Sequence, residues 1–226
     1  TLQPTSGEIP TITGTGEPGA TVTLLADADV DGTGSTEATI GTVTVDADGI
    51  WSIGANQALS DGVVALSATQ TDPAGNVSAA GLGTIEVDTT APVAPVFAVA
   101  SFGPTNDTTP LLSGTGEAGA RVTVLADLAS DPNGVDGTPE TAIGTALVDA
   151  GGNWQLSSTA MLPEGTIALS ATQTDPAGNV SPVSTADVVI DTTLSAAPTF
   201  TPGLLAPPSL DPTNNTTPTI TGIGEA

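Results

Sequence analysis

An all-β chain of tandem β-sandwiches, each of about seven strands, is predicted by three observations. Short apolar-alternating segments are separated by turns rich in Gly, Pro, Asn and Asp at intervals of about 8–12 residues. The hydrophobic period is two, with no stretch of helical period. The sequence also repeats itself. Trp51 returns as Trp154, Asp72 as Asp175 and Asp88 as Asp191, each 103 positions on, and Gly14 returns as Gly114 and Gly222, after 100 and then 108.

The unit is therefore about 100 residues, the size of an immunoglobulin-like sandwich. Residues 1–90 read as one repeat whose N-terminal strand is missing, 91–193 as a second, and 194–226 as the start of a third.

Taken in order, Ile9-Pro10-Thr11-Ile12-Thr13-Gly14 alternates as a strand, with proline near its start; Thr109–Gly114 and Thr217–Gly222 match it. Gly16-Glu17-Pro18-Gly19 and Gly116-Glu117-Ala118-Gly119 read as tight turns. Thr21–Leu25 and Arg121–Leu125 are half-buried strands. An acidic loop follows, Asp27-Ala28-Asp29-Val30-Asp31-Gly32 in the first repeat and a longer one with Asp127, Asp131 and Asp136 in the second. Strands resume at Ile40–Val45 and Ile143–Val148. Hairpin turns at Asp46–Gly49 and Asp149–Gly152 lead to the strands that carry Trp51 and Trp154. Val63–Thr69 and its twin from Thr166 run into Asp72-Pro73-Ala74-Gly75-Asn76 and Asp175–Asn179, and Gly83–Val87 and Ala186–Ile190 close the units. Residues 89–105 read as a Pro- and Ala-rich linker whose Val96–Val99 begins repeat two, as Pro198-Thr199-Phe200 begins repeat three. The seven strands expected in repeat two are 96–100, 109–115, 120–126, 142–148, 153–157, 166–174 and 185–190.

Composition removes most function classes. The formal charge is −24 and Arg121 is the single cation, so the chain lacks the Lys and Arg that phosphate or anionic membranes require. No apolar run reaches the ~18 residues of a membrane span. A hydrophobic fraction of 38% and a positive mean hydropathy favour a packed fold over a disordered acidic chain. There is no His, Cys, Lys or Tyr, so a nucleophilic serine has no base, and with 2% aromatic residues a glycosidase cleft has no platforms. The chain is expected not to be an enzyme. Nitrogen and sulfur ligands for zinc or copper are also missing. What remains is oxygen, which suits calcium.

Three sets of residues are candidate calcium ligands. Asp27-x-Asp29-x-Asp31-Gly32 repeats the first half of an EF-hand loop, although its twelfth position would be Ala38, and Asp127, Asp131 and Asp136 keep the acidity of that loop without its spacing. Asp72 with Asn76, and Asp175 with Asn179, occupy turns that would form with or without metal. Asp88 and Asp191 end the last strands, where no structural need for a carboxylate is evident, and Glu17 and Glu117 sit at turn tips. Strands that alternate in direction bring Asp88, Glu117, Asp175 and Asn179 to the junction of repeats one and two. The Asp27–Asp31 loop faces the same junction.

Thr-x-Ile-x-Gly-x-Gly-Glu-x-Gly-Ala, Asp-Pro-Ala-Gly-Asn-Val-Ser and Val-Asp-Thr-Thr-Ala-Pro together resemble the bacterial immunoglobulin-like repeats of giant type I-secreted RTX adhesins, such as Bap-like biofilm proteins and the extender region of ice-binding adhesins. The resemblance implies an extracellular, surface-anchored spacer stiffened by Ca²⁺ between neighbouring repeats, folding on export into external calcium, with the adhesive domain elsewhere. The expected partners are the neighbouring repeats of the same chain, in a monomeric rod. Two alternatives stand beside it. Direct ligand or glycan binding would want exposed aromatics. Ice binding would want a regular Thr-x-Thr face, of which Thr11–Thr13, Thr21–Thr23 and Thr42–Thr44 are irregular traces.

Overall fold

The computed structural model describes residues 2–27, 38–99, 101–128, 137–200 and 222–223. Repeat one holds β1 (Thr11–Thr15), β2 (Thr21–Ala26), β3 (Ala38–Thr44), β4 (Ile50–Gly54), β5 (Gly62–Thr71) and β6 (Gly81–Val87). Repeat two holds β7 (Val96–Phe97), β8 (Ser101–Thr105), β9 (Leu111–Thr115), β10 (Arg121–Ala126), β11 (Thr141–Leu147), β12 (Asn153–Ser157), β13 (Gly165–Thr174) and β14 (Ser184–Ile190). Two short strands, β15 (Thr199–Phe200) and β16 (Gly222–Ile223), pair beyond it.

Each unit is two sheets face to face. In repeat one, β3-β2-β5-β6 covers β1-β4; in repeat two, β11-β10-β13-β14-β8 covers β12-β9-β7. The alternation read from sequence is the burial pattern. Val22, Leu24 and Ala26 face inward, as do Val122, Val124 and Ala126, with half-exposed or exposed residues between them. Two separate apolar cores result, one running from Ile12 to Val87 and one from Phe97 to Ile190. Each is centred on its tryptophan, whose indole N–H donates to the carbonyl of Thr15 or Thr115 at 3.1 Å.

The glycines of the Gly-x-Gly-Glu strand end are fixed by close approach. A Cβ on Gly14 or Gly114 would lie 2.3 or 2.6 Å from the Trp51 or Trp154 ring. On Gly16 or Gly116 it would lie 2.6 or 2.4 Å from the side-chain oxygen of Gln70 or Gln173. That oxygen accepts the N–H of Glu17 (2.9 Å) or Glu117 (3.0 Å), which ties the turn to the end of the long strand.

The structure departs from the expected strands at one place. The predicted first strand of repeat two is two strands in different sheets: β7 pairs antiparallel with β9, and β8, inside the expected linker, pairs parallel with β14. The proline of Gly103-Pro104 and the glycine before it disguise β8 in the sequence. Repeat one has the β8 equivalent in its first residues. Leu2 N–H donates to Thr84 O, Thr5 N–H donates to Glu86 O, and Thr5 bridges Val87 in parallel.

Candidate functional site

The junction of the two repeats is assembled from the Asp-Pro-Ala-Gly-Asn turn upward. Asp175 N–H donates to Asn179 O, and Gly178 N–H donates back to Asp175 O, with Gly178 at φ 101°. The Asp175 carboxylate fills the centre of this turn. Its Oδ1 accepts the N–H groups of Gly178 (2.7 Å) and Asn179 (2.9 Å), and its Oδ2 accepts Asn179 Nδ2 at 2.8 Å. Asp72 is held alike by Ala74, Asn76 and the Asn76 amide. These donors keep both carboxyls below the usual range. For Asp72 the Asn76 side chain contributes most; for Asp175 burial works the other way and is outweighed by the bonds from Asn179, Gly178 and Ala177.

This turn then meets repeat one. Asn179 Nδ2 also donates to the backbone carbonyl of Asp88 at 2.7 Å, Gln173 Nε2 donates to Val93 O at 2.7 Å, and Ser6 N–H donates to Ala177 O at 3.0 Å. Pro92 and Pro95 of the linker are buried. Of the residues expected at this junction, Asp88, Asp175 and Asn179 are joined by hydrogen bonds, and Glu117 is at the same pole through its bond to Gln173. Asp27 lies at the end of repeat one that carries Asp88, because β2 ends, β5 starts and β6 ends together.

Asp88 and Asp191 have a structural task that the sequence reading had not assigned: each Oδ1 accepts the N–H two residues on, from Thr90 or Thr193, at 3.0 Å. A pair of carboxylates was missed. Asp61 accepts the N–H and hydroxyl of Thr89, and Glu164 accepts the N–H and hydroxyl of Thr192. The Thr192 hydroxyl in particular holds Glu164 below its ordinary range. The signal was available as a carboxylate before Gly62 and before Gly165, 103 positions apart.

Calcium takes six to eight oxygens. Among the described residues no three carboxylates are grouped as a cation site. The Asp72 and Asp175 oxygens accept N–H groups within their own turns. Asp27 and Asp127 are buried, 5% and 1% exposed, at matched positions, with their N–H groups on Ala65 O and Ala168 O. Asp127 Oδ2 accepts Gly137 N–H across its loop. Asp29, Asp31, Asp131 and Asp136 lie outside the described residues. Glu17 and Glu117 are exposed at their turns.

Two matched sandwiches in tandem, joined by a strapped linker, define a class of immunoglobulin-like repeat protein. The bacterial Ig-like domain profile matches residues 3–89 and 101–192, and the chain belongs to that family. Among solved structures it is similar to a tetra-tandem repeat from the extending region of a large adhesion protein (23% identity, 87% of this chain, 48% of that one, TM-score 0.36). It is also similar to the BSP domain of a biofilm-associated protein (23%, 84% and 29%, TM-score 0.31) and to fibronectin(III)-like modules of Clostridium thermocellum CbhA (13%, 84% and 89%, TM-score 0.49). The chain spans about half the length of the first of these. No curated protein matches it.

Proposed function

We propose that this chain is a spacer segment of a bacterial surface adhesin, acting outside the cell, and that calcium stiffens it. The observation that carries the reading is the strapped seam. A ten-residue connection from Asp88 to Phe97 is not left as a tether but is bound at its Asp88 and Val93 carbonyls by Asn179 and Gln173 of the next unit. A linker fixed in this way transmits orientation from one sandwich to the next, which a load-bearing rod needs and an independent binding domain does not. The absence of His, Cys, Lys and Tyr fits a role without covalent chemistry.

Calcium would be held by the acidic loops that start at buried Asp27 and Asp127, with Asp88 and Glu117 able to add oxygens at the junction. The ion would neutralise crowded carboxylates that otherwise repel in a chain of charge −24. Extracellular modules bind calcium at roughly 10⁻⁴–10⁻³ M, so such sites fill outside the cell and empty within. Free ion at ten times Kd adds about 1.4 kcal/mol per site. The test is small-angle scattering and thermal melting in 5 mM-scale calcium (on the order of ten times such a Kd) against EDTA. Calcium should raise the melting temperature and narrow the distribution of lengths. Equal curves in the two buffers would remove calcium from the proposal, and a broad, flexible length distribution in both would remove the rod.

A further inference from the structure

Tension along the chain can open the seam or unfold a sandwich, and the topology ranks the two. Asp88 directly follows β6, so a pull passed through repeat one arrives first at the Asp88 carbonyl, which Asn179 holds at 2.7 Å. Repeat one anchors the same point. Asp88 N–H donates to Thr5 O, and Asp61 accepts the N–H and hydroxyl of Thr89. Next along the chain is Val93, whose carbonyl takes Gln173 Nε2 at 2.7 Å. Val96 and Phe97 follow, paired as β7 with Thr115 and Gly114 of β9, and then Ala98, whose N–H donates to Ser113 O. Ser6 N–H on Ala177 O adds a second bridge across the seam.

The contacts of the linker lie one after another on a single segment. Tension reaches the second when the first has parted, so each bears the load nearly alone, and one hydrogen bond in water is weak. The body of repeat two is loaded differently. Its entering strand β8 and its leaving strand β14 run parallel, with Ser101 beside Asp187, Phe102 beside Val188 and Thr105 beside Ile190. The pull enters at Ser101 and leaves at Ile190, at opposite ends of this ladder. It slides one strand along the other and strains all the rungs together. Asp191 N–H on Thr105 O extends the ladder. Repeat one is built alike: Leu2 and Thr5 donate to Thr84 O and Glu86 O, and Thr5 bridges Val87 in parallel.

The linker also has a place to return to. Phe97 lies edge-on to Trp154 at 5.6 Å and to Phe102 at 6.0 Å between ring centroids. Trp154 belongs to β12 and Phe102 to β8, so both rings stay in the sandwich when β7 leaves it. Pro92 and Pro95 restrict the freed segment, which lowers the entropy lost when it docks again.

We propose that the seam is a strap that yields before either sandwich does. Under tension Asn179 and Gln173 let go of the linker and β7 peels from β9, while the shear-loaded sandwiches stay folded. The strap docks again when the tension falls. Ten residues from Asp88 to Phe97 reach at most about 36 Å, which bounds the length that one seam can give. The use of such a device rests on the spacer reading; its mechanics do not.

The test stretches the whole chain between cysteines added at its two ends, which are unique handles because the sequence has none. A single-molecule force trace should show a short step, under about 36 Å, before the long steps in which the sandwiches unfold. The short step should return on every cycle that stops before the long ones. Asn179→Ala should speed it by about fivefold at a given force, the factor for one hydrogen bond lost, and leave the long steps unchanged. Asn76→Ala, in the matching turn of repeat one, should leave the short step as it is. A missing short step, one that Asn179→Ala does not move, or a long step that comes first overturns the proposal, even where scattering shows a rod and the spacer reading stands. A flexible length distribution in scattering would instead count against the spacer and leave a short step seen under force in place. Where Asn179→Ala fails to fold, the order of steps in the unaltered chain decides.

Discussion

Asn179 donates its side-chain amide to the backbone carbonyl of Asp88, 91 residues away in sequence and 2.7 Å away in space. Asn76, its counterpart in repeat one, makes the same turn but holds only Asp72. The difference isolates the junction bond. Asn179→Ala should cost about 1–3 kcal/mol, the sum of two hydrogen bonds at roughly 0.5–1.5 kcal/mol each, and should broaden the length distribution in scattering. Asn76→Ala should cost about half as much and leave the shape unchanged. Equal effects on shape would mean that Asn179 does not lock the seam.

Phe97→Ala should strongly destabilise repeat two. It removes an aromatic packed on Trp154 and Phe102 and leaves a cavity, at about 3–5 kcal/mol. It should also make Trp154 resemble Trp51 in exposure. Acrylamide quenching with denaturant melts would check both effects, and a loss under about 1 kcal/mol would be inconsistent with the packing described.

Glycine substitutions should divide by contact. Gly116→Ala places a Cβ 2.4 Å from Gln173 Oε1 and should displace the Glu117 turn. Gly83→Ala meets nothing within 4 Å, in an extended strand. It should be neutral or stabilise by about 0.4–1 kcal/mol, because alanine restricts the unfolded chain. Melting temperatures of the two variants give the comparison.

Acid should unfold the chain for a local reason. Asp72, Asp149 and Asp175 are held below their ordinary pKa by donors of their own turns, led by the Asn76 amide for Asp72 and the Asn153 N–H for Asp149, and Glu164 is held low by the Thr192 hydroxyl. For a depressed carboxyl, the stabilisation is present above the unfolded pKa of roughly 4 and is lost as pH falls through the lower folded value. The melting temperature should therefore hold from about pH 5 upward and drop below about pH 4. Relief of charge repulsion on protonation opposes this drop, so the informative variant is Asp175→Asn. It keeps an acceptor for Gly178 and Asn179 without the titration. Its acid limb should be shallower; an unchanged slope would exclude Asp175 as a contributor.

Asp27→Asn and Asp127→Asn test the calcium proposal at its buried positions. Each should reduce the rise in melting temperature that calcium produces, while the EDTA curves stay close to the unaltered chain or rise as a buried charge is removed. A full calcium response in the double variant would move the sites elsewhere.

Much of this was legible in the sequence because it is local or periodic. Alternation gave the inward faces of the long strands, Asp-Pro-Ala-Gly-Asn gave its turn, and the 103-residue offsets gave two matched cores. The pole shared by Glu117, Asp175 and Asn179 followed from strand direction alone. Elsewhere the local signal was weak. β8 was hidden by its glycine and proline, and the tasks of Asp61 and Glu164 depend on threonines 28 residues away.

The sequence by itself determined the β-sandwich repeat, its period and the lack of His and Cys side chains, since these follow from side-chain alternation and residue type. Only the tertiary structure decided which partner each polar group takes. Whether an aspartate faces an N–H, a hydroxyl or an acidic loop depends on chain segments brought together by folding, and a hydrogen bond is set within a few tenths of an ångström that no spacing in the sequence encodes.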